Sequence, residues 1–263
     1  MHPLLAGYRV GSVPYLNGLP LTAGMGPELS LLPPSQLADE LRADRMDVAL
    51  VSSAEVLLSE KLKAFDRYGI LSDGPVFSVF LAHRTPLEHL RTIHIDTASR
   101  TSVNLLKVLL ADRGIHPEFR PLVGYDQAAS LDDLLLIGNP AIEFRRNPHK
   151  HAIWDLGSAW KNLTGLPFLY ALWAFRDGIE TQPLLRGLNE VAESGLSRLS
   201  ELASQETIFD EDFRRQYLGG HIRYRIDDAA RTSLEEFGRL LGRLGEHRVH
   251  PVRWVSLQGQ GIT

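Results

Sequence analysis

The chain has 263 residues, 44% of them hydrophobic and 23% charged, a composition that allows a substantial buried core in one large or two modest domains. A formal charge of −4 and a pI near 6.2 offer no basic field to nucleic acid, and no run of five or more like charges marks an interaction tail. Cysteine is absent, which excludes disulfides, thiolate metal sites and a cysteine nucleophile. No apolar run of 18 residues suggests a membrane span. The first nine residues lack a basic start followed by a continuous apolar stretch, so a cytoplasmic protein without a secretory signal is expected.

In chain order, Tyr8–Val13 reads as a first strand and Pro14–Leu21 as the loop that leaves its C-terminal end. Ser35 is expected to cap a helix with Leu37, Ala38, Leu41 and Met46 on one face. Asp47–Ser52 has the apolar pattern of a buried parallel strand and completes a βαβ unit. Pro75–Ala82 is a further strand, after which His83–Pro86 becomes turn-like and the chain is expected to change domain. A second set of units holds the Arg91–Ile95 strand, a helix over 101–113, a strand around Phe119 and the apolar run Leu134–Ile137, stopping at Gly138-Asn139-Pro140. Phe168–Phe175 reads as the strand that returns to the first domain. After Asp177 the pattern is helical over 181–204, 207–217 and 227–244.

The expected fold is therefore α/β with two lobes around a ligand cleft: residues 1–84 and 174–263 form a discontinuous first lobe, and 85–173 an inserted second one. Asn17, Ser52, Ser53, Ser99 to Ser102, Gly138, Asn139 and the 164–168 turn, with Thr164 and Gly165, should line the cleft. Ser99-Arg100-Thr101-Ser102 carries the clearest chemistry, because it follows a strand and opens a helix. Unpaired backbone N–H groups and the positive end of the macrodipole make such a start an anion site, which three hydroxyls and a guanidinium would strengthen. A plain helix cap would use the same residue types.

Asn17 is a neutral amide that can hydrogen-bond a ligand without repelling an anion, although Asn before Gly is also a turn signal. Hydroxyls at Ser52 and Ser53 would equally cap a following helix. Glu143 and Arg145 read as a solvated face, and Trp154, Trp160, Tyr170 and Trp173 as core. His149 and His151 fall on one side of a strand without a third ligand nearby, and the other histidines are scattered, so no metal is expected. Hydrolase elbow, phosphate-loop and dinucleotide fingerprints are all missing, and no cofactor is expected.

Five segments in order carry a resemblance: Val10 to Leu21 with Tyr15-Leu16-Asn17 inside it; Asp47 to Glu55; Ser99-Arg100-Thr101-Ser102; Leu136-Ile137-Gly138; and Asp155-Leu156-Gly157 through Trp160 to Thr164-Gly165-Leu166-Pro167-Phe168. Together they resemble the menaquinone-biosynthesis proteins of the futalosine route, specifically the chorismate dehydratases. The resemblance implies a fold similar to type II periplasmic binding proteins. It also implies a lyase that dehydrates chorismate, a small dicarboxylate, to 3-[(1-carboxyvinyl)oxy]benzoate. An acidic residue is expected after Ile137-Gly138, where this chain has Asn139-Pro140. Glu55, the one carboxylate immediately after the Ser52-Ser53 turn, is a candidate base; the substrate's enolpyruvyl carboxylate is the other. Two alternatives stay open: a non-catalytic carboxylate-binding protein of the same fold, and the dihydroxynaphthoate-forming sister enzyme of the pathway.

Overall fold

The computed structural model describes residues 2–258. Its strands, in chain order, are β1 (Val10–Ser12), β2 (Ser30–Leu31), β3 (Val48–Ser52), β4 (Lys63–Ser72), β5 (Val79–His83), β6 (Thr92–Ile95), β7 (Glu118–Pro121), β8 (Asp133–Ile137), β9 (Ala152–Asp155), β10 (Phe168–Phe175), β11 (Arg223–Arg225) and β12 (Arg253–Val255). The α-helices are α1 (Leu19–Thr22), α2 (Pro34–Arg42), α3 (Ser53–Leu57), α4 (Arg100–Asp112), α5 (Gly138–Arg146), α6 (Leu156–Thr164), α7 (Gln182–Ser197), α8 (Leu199–Gln205), α9 (Glu211–Gln216) and α10 (Asp228–Arg243).

These strands form two sheets. The first has the order β11-β4-β10-β3-β1-β2, with β12 added on β4; the second has the order β7-β6-β8-β5-β9. Parallel pairs β1–β3 and β6–β8 sit beside antiparallel ones, because β10 runs against both β3 and β4, and β5 against both β8 and β9. Every residue of β3, β8 and β10 is buried, as their continuous apolar runs require of strands covered on both faces. Gly11 is fixed by packing: a Cβ there would lie 2.4 Å from Met46 Sδ and 2.6 Å from Leu37.

Sheet membership moves both lobe boundaries. Val79–His83 lies between β8 and β9, so the chain enters the second sheet at the 73–78 crossover and not at 84/85. The His83–Pro86 turn only connects one second-sheet strand to the next. The return falls within 156–167, before β10, and not at 173/174.

Other expectations change in detail. α2 starts at Pro34 behind Pro33, without a side-chain cap from Ser35. Gly138-Asn139-Pro140 opens α5 instead of stopping the chain; Pro140, still within the first turn, removes an N–H that no helical carbonyl would accept. The long helix over 181–204 divides into α7 and α8 at Arg198. β4, with Lys63, Asp66 and Arg67 in its sequence, was not apparent from hydrophobic pattern.

Asp47 ties three strands of the first sheet. Its carboxylate accepts Arg9 N at 2.9 Å, Arg9 Nη2 at 2.7 Å and Arg176 Nε at 2.8 Å. Burial opposes ionisation, but Arg9, through side chain and backbone, and then Arg176 outweigh it and hold the carboxyl well below the usual range. A lowered folded-state value stabilises the fold above the unfolded carboxylate value near 3.9, and that stability is lost as pH falls below it. Asp47→Asn should therefore cost about 1–3 kcal/mol in urea melts at neutral pH. The gap to wild type should narrow once the pH drops below about 4; a gap unchanged down to pH 3 would show that the ion pairs do not set it.

Candidate active site

Loops leaving the strand ends of both sheets meet at a narrow cleft of about 50 Å³. Val13, Tyr15, Asn17, Ser52 and Tyr170 come from first-lobe elements, and Val79, Ser99, Ser102, Ile137 and Gly138 from the second. Among the described residues that line it, none is Asp, Glu, Lys, Arg or His. The lobes also touch around it: Leu16 N donates to Asn139 Oδ1 at 3.0 Å, Ser35 N to Ala98 O at 3.0 Å and Ala54 N to Thr101 Oγ1 at 2.8 Å.

One wall is a row of hydroxyls. Ser99 is the N-cap of α4 and accepts from Ser102 N at 3.3 Å; its Oγ also lies 3.1 Å from Ser102 Oγ and 3.2 Å from Ser52 Oγ. All three serines are buried. Both serines stand at a helix start, Ser52 at the end of β3 before α3 and Ser99 after the turn at 97–98 before α4. The row thus joins the lobes across the cleft and places the positive end of the 13-residue α4 at its wall.

Another part of the wall is set by the 73–78 crossover. Ser78 N donates to Val76 O at 2.8 Å around Phe77, whose φ is +67°, a γ-turn of the rare positive-φ kind. Asp155 holds this turn: Oδ1 accepts Val76 N at 3.1 Å and Oδ2 accepts Phe77 N at 2.9 Å, while Oδ1 also caps α6 through Ser158 N at 2.9 Å. Arg145 lies 4.1 Å over the Phe77 ring and 3.6 Å from Asp155, so it is not the solvated side chain expected. Ser78, the residue after the strained position, lines the cleft and accepts from the Tyr217 hydroxyl at 2.7 Å. At the rim, burial and secondarily the Asp96 carboxylate push the Tyr15 phenol up to about 12. Asp96 in turn accepts from Tyr125 at 2.7 Å, and burial raises its own carboxyl above the ordinary range.

Of the residues the sequence pointed to, Asn17, Ser52, Ser99, Ser102 and Gly138 line this cleft. Others lie elsewhere. Ser53 is fully buried behind it, donating to Leu169 O at 2.7 Å, and Thr101 Oγ1 accepts Ala54 N instead of facing a ligand. Glu55 is withdrawn into a separate cavity with Arg42, 2.6 Å away, and Arg100, 3.2 Å away, so neither it nor the Arg100 guanidinium faces the cleft. Asn139 bridges the lobes at Leu16. Thr164 bonds Trp160 O at 2.9 Å, and Gly165 ends α6 with φ +73°; both serve the helix end. His151 is buried against Leu131 O at 2.7 Å. Ser78 and Tyr217 were missed, since a serine in a strand-like run and a tyrosine in a helical one give no local signal of chemistry.

The comparison with known proteins follows this geometry. Residues 8–243 match the family model described as menaquinone biosynthesis. The chain belongs to the menaquinone-biosynthesis family. The family member of Thermus thermophilus called chorismate dehydratase is 31% identical, the match covering 87% of this chain and 96% of that protein. A solved protein of Archaeoglobus fulgidus superposes with a TM-score of 0.72 at 16% identity, covering 90% of this chain and 97% of that one. The alkanesulfonate-binding protein of Xanthomonas axonopodis pv. citri, bound to MOPS, gives 0.63 at 13% identity over 95% and 98%. A Candida albicans protein described as having the generic periplasmic binding protein fold gives 0.59 at 13% identity over 97% and 98%. The fold of this family member is thus that of the periplasmic binding proteins. None of its described helices is long and apolar enough to cross a membrane.

Gly138 faces the Tyr15 ring across the lobes. With φ +62°, a Cβ there would meet three atoms of the Tyr15 ring at 3.0 Å. Gly138→Ala should cost about 1–2 kcal/mol from the left-handed backbone alone, read as a lowered melting temperature. Displacement of Tyr15 should in addition weaken binding of cleft ligands; unchanged melting and binding would show that the contact relaxes freely.

Proposed function

We propose that this family member is a hydro-lyase that converts chorismate to 3-[(1-carboxyvinyl)oxy]benzoate and water. The carrying observation is the cleft itself: a hydroxyl row at the start of α4, an amide at Asn17, and no ionised side chain along the lining. The 31% identity to a protein named chorismate dehydratase supports the same substrate. Chorismate is a dicarboxylate, and one carboxylate on Ser52, Ser99 and Ser102 would gain roughly 1.5–3 kcal/mol per charge-assisted hydrogen bond.

Loss of the C3 proton and the C4 hydroxyl makes the ring aromatic, so the drive lies in the substrate and the protein supplies orientation. A strong side-chain base is not required. Glu55, held by two arginines outside the cleft, does not fit the role, which favours the substrate's own enolpyruvyl carboxylate as the group that takes the C3 proton. The proton and the departing hydroxide leave together as water, and no cofactor enters the balance.

Incubation of the pure protein with chorismate, followed by ultraviolet absorbance and mass, should show an aromatic enolpyruvyl ether 18 mass units lighter, roughly the mass of one water. Demonstrated binding with chorismate left unchanged would instead favour a carboxylate receptor. Ser99→Ala/Ser102→Ala should mainly raise KM, because binding shared by substrate and transition state is lost. Asn17→Ala should lower kcat by about 10²–10³. Glu55→Gln should leave both limbs of the pH–rate profile in place; loss of one limb would restore Glu55 as the base.

A further inference from the structure

We propose that a second cavity, between α2, α3 and α4, binds a small organic carboxylate whose presence holds the lobes as they stand and hinders entry to the cleft. The binding stands on its own; its effect on turnover rests on the dehydratase reading. The cavity has a volume of about 350 Å³ and is built from both lobes: Arg42 and Glu55 come from the first, Arg100, Asn104 and Lys107 from the second. It opens on a different face of α4 from the hydroxyl row. Arg100, Asn104 and Lys107 recur at i, i+4 and i+7 and share one face, whereas Ser102, two positions from both Arg100 and Asn104, turns to the cleft.

Asn104 is the residue that points to a ligand. It is 3% exposed, yet its side-chain amide makes no hydrogen bond to any described residue. Its amide atoms are not sealed in, and the surface they keep opens on the cavity. An amide buried without a partner is costly, and a ligand oxygen would relieve it. One turn earlier on α4 an edge of Arg100 is open: Nη1 donates to Glu55 Oε2 at 3.2 Å, while Nε and Nη2 have no partner among the described residues. Across from them, the Ser35 hydroxyl at the start of α2 is likewise without a partner.

The charges select the ligand. Glu55 Oε2 also accepts from Arg42 Nη1 at 2.6 Å, Asp39 Oδ1 accepts from Arg42 Nη2 at 2.8 Å, and Lys107 pairs with Glu246. Arg42, Arg100 and Lys107 are therefore balanced by Asp39, Glu55 and Glu246, which suits one negative charge and not a polyanion. Ile95 and Val103 add apolar surface to the lining, a match for a carboxylate carried on an apolar frame.

Occupancy bears on the cleft because both sites share α4. With the lobes as they stand the cleft offers about 50 Å³, well below the roughly 300 Å³ at which pockets for small organic ligands begin. Chorismate then enters only when the lobes part, which takes Arg100 and Asn104 away from Ser35 and Glu55. A carboxylate held between these elements favours the close arrangement and opposes entry by that difference in affinity.

Benzoate is the probe, followed by NMR of the side-chain N–H groups of Asn104 and Arg100 in the full chain. Both should shift saturably at millimolar benzoate. Asn104→Leu, and independently Arg100→Gln, should weaken binding at least about tenfold, while Ser99→Ala/Ser102→Ala keeps it within about twofold. Absence of a saturable shift would overturn the proposal, as would binding lost in the serine variant but kept in Asn104→Leu. Equal shifts with inorganic phosphate would overturn the assignment to organic carboxylates. In the turnover assay benzoate should raise KM to a plateau of at least about fivefold with kcat unchanged, because coupling between separate sites is finite. Asn104→Leu without benzoate should turn over as the wild type does, and benzoate should no longer raise its KM. A rise without plateau, or one that persists in Asn104→Leu, would overturn the effect on entry by showing competition in the cleft. A wild-type protein that binds benzoate at Asn104 and leaves chorismate unchanged would overturn the dehydratase reading instead, with the site intact.

Discussion

The site depends on the Asp155 carboxylate. It sits at the end of β9, caps the helix that begins the return to the first sheet, and accepts two N–H groups of the crossover that left it. Both passages of the chain between the lobes are thereby tied at one point. The same grip keeps Phe77 at φ +67°, a conformation that costs about 1–3 kcal/mol and would relax without it. From there the order extends along the chain to Ser78, whose backbone oxygen accepts Gly138 N at 2.9 Å and whose side chain meets Tyr217. Lobe geometry and cleft lining are consequently aspects of a single hydrogen-bonded corner.

The placement of charge follows from burial. A lone ionised group among the buried side chains of the cleft wall would cost several kcal/mol unless paired. In this chain the arginines nearest the lobe interface are paired elsewhere: Arg42 and Arg100 with Glu55, Arg145 with Asp155. Glu55 on α3 and Arg100 on α4 thus bridge the lobes from outside the cleft, where two half-exposed arginines compensate the buried carboxylate. What faces inward is neutral. An anion bound there would meet hydroxyls and the partial positive charge of a helix start, which can be desolvated at far lower cost than a guanidinium.

The elements that hydrophobic pattern revealed are those buried on both faces or strongly one-sided: β3, β8 and β10 as apolar runs, α4 and α10 as stripes. β4 escaped because Lys63, Asp66 and Arg67 break its run, and their partners Asp177, Arg231 and Asn189 lie more than a hundred residues away along the chain. Within the Ser99–Ser102 motif the helix start was legible, but the roles of its four residues were not. Helical geometry separates them: positions three apart share a face, so Ser99 and Ser102 look into the cleft while Arg100 and Thr101 turn to Glu55 and to Ala54. Tyr217 lies 139 residues from Ser78, and no local pattern could have joined them.

The same fold serves an alkanesulfonate-binding protein, so the fold does not by itself make an enzyme. Under the proposed reaction the distinction becomes specific. Chorismate and its dehydrated product carry the same two carboxylates, and groups that hold these bind substrate, transition state and product alike. The hydroxyl row at α4 therefore contributes affinity and not rate. Only the C3 proton and the C4 hydroxyl change, so acceleration has to come from groups that meet those atoms. In a cleft without ionised side chains, those groups are neutral dipoles whose direction is fixed beforehand, and their effect grows with the rigidity of what holds them. The strained turn at Phe77 and the π-helical turn Tyr217–His221 supply that rigidity, which is the feature that would separate this chain from a receptor built on the same two sheets.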